Sequence, residues 1–376
     1  MARRSILASV AILAMTVSAC SRVGGPGTAL ETPTSAPTST TEPTTASEAF
    51  VGEVRLEMVD DQLLVVSDAG IYRVERSDLA KLGPFPDSAP VRSGVTAFGG
   101  GRLGMATSDG GNVTLYVSDD SGTTWKAAGS TAIESPTGVV RLDLAGHGSS
   151  VSVIAEEASG SAFRFAFASS STDGGATWET TRAPAGGALT FAGGAYWLIG
   201  GVMGDEVYRS TDAIDWKAVT IPVEEPYWPA GEIEEVEALG LVIPVSTHPI
   251  GAASTVVFMG TTDNGGTWRI LTSVPAPPTD SSTSVPTMIT PGGDWTVVYG
   301  DASKVISGRF GSDETTVRSP NGLPIGVLDI GGTSGGLVAL TMPSSCPDGK
   351  ASCTSTTQLV WSFDAGQTWN PIEARH

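Results

Sequence analysis

The chain has 376 residues, with 21 Lys and Arg against 40 Asp and Glu and a formal net charge of -19. Residues 1 to 50 hold only three arginines and three glutamates, so the whole excess lies in the body beyond, which lacks the basic stripe a nucleic-acid partner requires. Hydrophobic residues at 40%, 47 glycines, 24 prolines and nine tryptophans exclude a disordered or coiled-coil chain and suit a turn-rich all-β protein with a sizeable core.

In chain order, an address comes first. Arg3 and Arg4 give a positive start, Ser5 to Val17 is apolar but too short to span a bilayer, and Ala19 is a small residue just before Cys20. This reads as a secretory signal over residues 1–19. The stretch Val17-Ser18-Ala19-Cys20 resembles the bacterial lipobox, which implies lipidation of Cys20 and an anchor in the bacterial cell membrane, on its extracytoplasmic face. Arg3-Arg4 leaves twin-arginine export open beside the general route. From Thr32 to Ser47 the chain holds seven Thr, three Ser and three Pro in sixteen positions. Such a run cannot bury enough surface to offset the entropy of ordering. Residues 20–48 are therefore read as a tether, reaching up to roughly 90 Å at about 3.1 Å per residue.

The folded domain is expected over 49–376, and repeats define it. Ser/Thr-x-Asp-x-Gly-x-Thr-Trp occurs at Ser118 to Trp125, Ser171 to Trp178, Thr261 to Trp268 and Ser362 to Trp369, with a shortened copy from Ser210 to Trp216. A tight hairpin turn needs a position free to take positive φ, which Gly supplies, and Ser, Thr and Asp side chains satisfy turn amides. These copies resemble the Asp-box, or BNR repeat, of sialidase-like β-propellers. The resemblance implies that Asp120, Asp173, Asp212, Asp263 and Asp364 hold turns, and that Trp125, Trp178, Trp216, Trp268 and Trp369 pack between neighbouring sheets. No copy completes a calcium loop, so no metal and no cofactor are expected.

Successive Asp positions lie 53, 39, 51 and 101 residues apart, the last close to two units. A decayed copy is placed near Asp313. A further unit is placed ahead of the first copy, with strands in VGEVRLEMV, QLLVVS, GIYRVER and LAKLG. Seven four-stranded blades of about 47 residues result, six being the competing count. Gly99-Gly100-Gly101-Arg102-Leu103-Gly104 is read as a strand-flanked turn and not a phosphate loop, because no helix follows. Cys346 and Cys353 are expected to close a local disulfide loop. Ring closure is expected from side-chain packing alone or from a strand near Phe50.

Chemistry is sparse. With three histidines and no nucleophile spacing, a Ser-His-Asp triad is not expected, and no catalytic residue is assigned. If the repeats mark turns between third and fourth strands, ligand residues belong on the opposite face, among blade connections and loops between second and third strands. The candidates there are Glu224, Glu225, Tyr227 and Trp228, followed by Glu232, Glu234, Glu235 and Glu237, with Asp205, Glu206, His248 and Asp301 nearby. Carboxylates beside aromatic faces suit sugars or cationic partners. An ordinary acidic loop whose aromatics cover a seam is the bland alternative.

Resemblance to sialidases implies three arginines on the substrate carboxylate, a Tyr nucleophile with a Glu partner, and an acid/base Asp. Only Arg92 and Arg318 fall in the predicted ligand loops, and Tyr72-Arg73-Val74-Glu75 lacks the proline of the family's arginine motif. The expectation is a membrane-anchored module that binds an envelope protein or glycan. A glycoside hydrolase, with Tyr227, Glu224 and Glu225 as its weak candidates, is the alternative.

Overall fold

The computed structural model describes Val54 to Ala374 apart from residues 60–61, 68–69, 76–77, 83–84, 86–88, 136, 158–164, 202–205, 224–226, 248–253, 277–284, 334–335, 343, 346–353 and 356. It is an all-β ring of seven blades, each an antiparallel sheet whose strands follow chain order. The first blade is Val54–Val59, Gln62–Ser67, Gly70–Glu75 and Asp78–Lys81, the strands expected from alternation. A count of six is therefore excluded.

Burial follows position in the blade. Second strands are sandwiched between neighbouring blades and are buried almost throughout, as in Ser150–Glu157 and Ala195–Gly200. Their sequences are accordingly near-continuous apolar runs. Outer strands such as Thr315–Arg318 are mostly exposed. First strands lie on the axis, where those of adjacent blades approach one another.

Seven apolar clusters fill the seams, one between each pair of adjacent blades. The seam between the seventh and first blades joins Val338, Leu340 and Leu359 to Leu63, Val65 and Leu79. The repeated tryptophans enter these seams: Trp125, Trp178, Trp216, Trp268 and Trp369 each contact the preceding blade. Trp369 is buried and the other four are half-buried. Where the repeat has decayed near Asp313, Trp295 from a second strand and Phe310 occupy the seam instead.

The repeated turns lie between third and fourth strands. In the third blade Asp173 Oδ1 accepts from Thr177 N and Ser171 Oγ, both at 2.8 Å, and Gly175 N donates to Ser171 Oγ at 2.8 Å. Two consecutive residues take positive φ, Gly174 at 75° and Gly175 at 98°. The glycine is thus needed at the second position, while the first also accepts Ser121, Asn264 and Ala365.

Closure differs from expectation. Glu373–Ala374 pairs in parallel with the outermost strand of the first blade, and the adjacent Ile372 is buried in the closing seam. A C-terminal strand therefore supplements side-chain packing, whereas Phe50 lies outside the described residues. Cys20, Cys346 and Cys353 lie outside them as well.

Candidate functional site

Among the described residues, a concave surface lies on the axis of the ring. Two adjoining cavities of about 520 and 410 Å³ share Leu56, Glu57, Met58, Thr190, Phe191, Glu232, Glu234 and Asp329, so they form one axial cavity. Among the described residues it is lined by six carboxylates, Glu57, Asp143, Glu232, Glu234, Glu235 and Asp329, against two guanidiniums, Arg55 and Arg141.

Three of the carboxylates hold the ring together. Asp143 accepts from Leu144 N at 3.0 Å and from the backbone of Leu189 in the next blade. Asp329 accepts from Ile330 N at 2.8 Å and from the backbone of Leu56 in the first blade. Glu235 accepts from Gly193 N at 3.1 Å, across the seam to the fourth blade. First strands have no partner on their axial edge, so these side chains satisfy donors that a longer sheet would have paired. Arg141 is likewise engaged, 3.4 Å from both Asp143 and the buried Glu156.

The other three, Glu57, Glu232 and Glu234, have no hydrogen bond or ion pair among the described residues. Local sequence explains how they reach the cavity. In the fifth blade the first strand is broken into Tyr227–Pro229 and Glu234–Val236, both paired with Gly240–Thr247. Four residues, Ala230 to Ile233, face only Ile243 and Pro244. Pro244 O accepts from Ala230 N at 2.8 Å, so its own missing N–H would have pointed to the same inner side. The ladder cannot continue there, and the extra residues bulge toward the axis with Glu232. In the second blade a one-residue bulge brings Gly94 against Glu57, where any Cβ would overlap the carboxylate.

Protonation follows from enclosure and like charge. Glu57 is raised well above the ordinary glutamate range, first by enclosure within the ring and then by Glu232 and Asp143, against the opposing pull of Arg55. Glu232 is raised to about 8 by enclosure and by Asp143, Glu234 and Asp329, and Glu234 to about 7 by enclosure. Asp143 and Asp329 rise to about 6 by the same burial, held back by Arg141 and by backbone donors respectively. Glu232 and Glu234 are exposed within the cavity, so enclosure here means surrounding protein and not dry packing.

The sequence-derived candidates are distributed differently. Tyr227 and Trp228 form a short axial strand at the connection end of the fifth blade; both are half-buried, and Tyr227 packs on the seam with the fourth blade. Glu206 accepts from Tyr208 Oη at 2.9 Å, and Asp301 caps a turn by accepting from Ser303 N at 2.9 Å. Glu224, Glu225, Asp205 and His248 lie outside the described residues. Glu232 and Glu234, expected in a surface loop, stand in the cavity, which extends toward Ala192, Thr290 and Pro291 at the turn ends of the first strands. Two arginines of the axial strands, Arg55 and Arg141, reach it, whereas only Arg92 and Arg318 were expected near a ligand. Sequence reasoning missed Glu57, Asp143 and Asp329. Their signal is a charged residue in the middle of the first strand of a blade.

No family model matches the chain, and no curated protein matches it. Solved structures do. A GH74 xyloglucanase from Xanthomonas campestris is 11% identical with a TM-score of 0.52, the match covering 84% of this chain and 53% of that one. A prolyl endopeptidase is 11% identical with a TM-score of 0.50, covering 84% and 49%. YCF48 bound to D1 peptide is 16% identical with a TM-score of 0.45, covering 76% and 83%. At these identities the likeness concerns the propeller fold and not the ligand.

Proposed function

We propose that this chain is an exported, lipid-anchored propeller that binds an envelope ligand in its axial cavity and does not turn it over. The observation that carries this reading is the cavity lined by three carboxylates, Glu57, Glu232 and Glu234, that have no hydrogen bond or ion pair among the described residues. Support for the anchor comes from Cys20 and the Thr/Ser/Pro tether, and support for the fold family comes from the recurring Asp-box-like turns. Glu224, Glu225, Tyr227, Trp228, Asp205 and His248 belong to this proposal as secondary candidates read from the sequence, of which Tyr227 and Trp228 are among the described residues.

A glycosidase needs one ionised and one protonated carboxylate facing each other across the scissile bond. Of the five cavity carboxylates with raised proton affinity, the two that give up protons most readily, Asp143 and Asp329, are tied to backbone N–H groups of neighbouring blades. Among the described lining residues there is no tyrosine to serve as a sialidase nucleophile, and six carboxylates against two arginines repel an anionic sugar. One observation favours the second reading, hydrolysis of a neutral glycan: Glu57 and Glu232 line the same cavity and both have raised proton affinity.

The test is a fluorogenic sialoside and a panel of neutral glycosides incubated with the full chain for hours. The binding reading predicts no release. Release of a neutral sugar that is abolished by Glu57→Gln or Glu232→Gln overturns it in favour of hydrolysis, and release of sialic acid would assign a catalytic role to Arg55 and Arg141.

A further inference from the structure

Resting on the binding reading above, we infer that the axial cavity takes a basic, apolar peptide segment in extended form, with a lysine or arginine side chain set between Glu57 and Glu232. Two features of the wall besides its charge point to this occupant. Met58 and Leu328, on the adjacent first strands of the first and seventh blades, are each 45% exposed inside the cavity, and Met288, Ile289 and Ile330 continue the apolar surface. Flexible methionines beside branched aliphatic groups suit apolar side chains of varied shape. A sugar ring would instead seek an aromatic face. Phe191 is the single aromatic residue among the described lining, with one face stacked on His147 at 5.5 Å and an edge contact to Tyr196 at 5.0 Å.

Charge complementarity selects the head group. Glu57 and Glu232 face Glu234, Glu235, Asp143, Asp329, Arg55 and Arg141, with His147 behind Phe191. A neutral ligand leaves this excess of carboxylates uncompensated, whereas one ammonium or guanidinium relieves their mutual repulsion. The axial edges of the first strands also present backbone groups that an extended peptide can use. Because a bound cation favours ionised carboxylates, affinity should rise with pH between about 6 and 8, as Glu234 and Glu232 lose their protons.

The test uses the full chain in detergent and a capped pentapeptide of alternating leucine and lysine, followed by calorimetry. Controls are the same peptide with acetylated lysines and a neutral oligosaccharide. The expected result is saturable one-to-one binding, weakened at least about tenfold by lysine acetylation or by Glu57→Gln with Glu232→Gln. Gly94→Ala, which displaces the Glu57 carboxylate without changing net charge, should weaken binding severalfold. Glu179→Gln with Glu314→Gln, at exposed positions away from the axis, should not weaken it. Equal weakening by the surface pair would reduce the binding to bulk attraction by an acidic protein and overturn the inference. Binding of the oligosaccharide with none of the peptide would overturn it too, but would leave the binding-module reading intact. Absence of peptide binding at every pH between 6 and 8 likewise overturns the inference alone, since the reading beneath it does not require the ligand to be a peptide.

Discussion

Gly129→Ala isolates the closeness of neighbouring blades from every other role of glycine. Gly129 lies in the outer strand Lys126–Ala132 of the second blade and has an ordinary negative φ, so alanine meets no backbone strain there. Space is the only obstacle. An added Cβ would overlap the carbonyl oxygen of Gly175, in the repeated turn of the third blade, and would stand 2.9 Å from its carbonyl carbon. That carbonyl cannot give way freely, because it accepts from Trp178 Nε1 at 2.8 Å while Gly175 N is held by Ser171 Oγ at 2.8 Å. Forcing the blades apart costs about 1–3 kcal/mol as overpacking, and losing the indole hydrogen bond adds about 0.5–1.5 kcal/mol. Reduced freedom of the unfolded chain returns about 0.4–1 kcal/mol. The net expectation is a loss of about 0.5–4 kcal/mol, centred near 2, read as a fall of several degrees in the melting temperature. Gly111→Ala is the matched control: its φ is also ordinary and nothing lies within 4 Å of the added Cβ, so it should melt with or slightly above the parent. If the two variants melt together, the seam is not as close as described and the argument fails.

Further expectations concern the turns, the cavity and the anchor. Ser171→Ala removes the acceptor for the buried amide of Gly175 and should cost about 1–3 kcal/mol in chemical denaturation, whereas no change would mean that water satisfies that amide. Stability should peak near pH 4–5. The raised cavity carboxylates bind protons in the folded state that the unfolded chain has released, so stability falls as pH rises toward about 8. At the acid end Asp120, Asp173, Asp263 and Asp364 are held near 2 by side-chain and backbone donors within their turns, so the stability they contribute is present above pH 3.8 and is lost as pH falls toward 2. A denaturation midpoint that stays flat from pH 5 to 8 would contradict the enclosure of Glu57, Glu232 and Glu234. Cys20→Ser should release the protein from the membrane fraction, and continued membrane association would remove the lipid anchor from the proposal.

The sequence made the blades legible because their determinants are local and repeated. Ser/Thr-x-Asp turns mark the link between third and fourth strands, and apolar runs such as Ala195 to Gly200 mark second strands covered on both sides. Even the decayed unit at Asp313 was visible from spacing, although the replacement of its tryptophan by Trp295 and Phe310 from other positions was not. The site was far less legible. A charge inside a short strand, as in Leu56-Glu57-Met58 or Leu328-Asp329-Ile330, acquires meaning only once seven such strands converge on one axis. Pro244 illustrates the difficulty: its effect is to eject Glu232 from a neighbouring strand, which no local pattern around Glu232 announces. Glu232 and Glu234 were noticed as an acidic loop, but their position on the axis depends on that bulge.

The central claim is that ligand binding occurs on the axis. Carbodiimide labelling of carboxylates on the full chain, read by mass spectrometry with and without the leucine–lysine peptide, tests it most directly. The account predicts that bound peptide protects Glu57, Glu232 and Glu234 and leaves Glu179 and Glu314 labelled as before. Protection confined to carboxylates outside the cavity, with Glu57, Glu232 and Glu234 labelled as before, would contradict it and move the binding site off the axis.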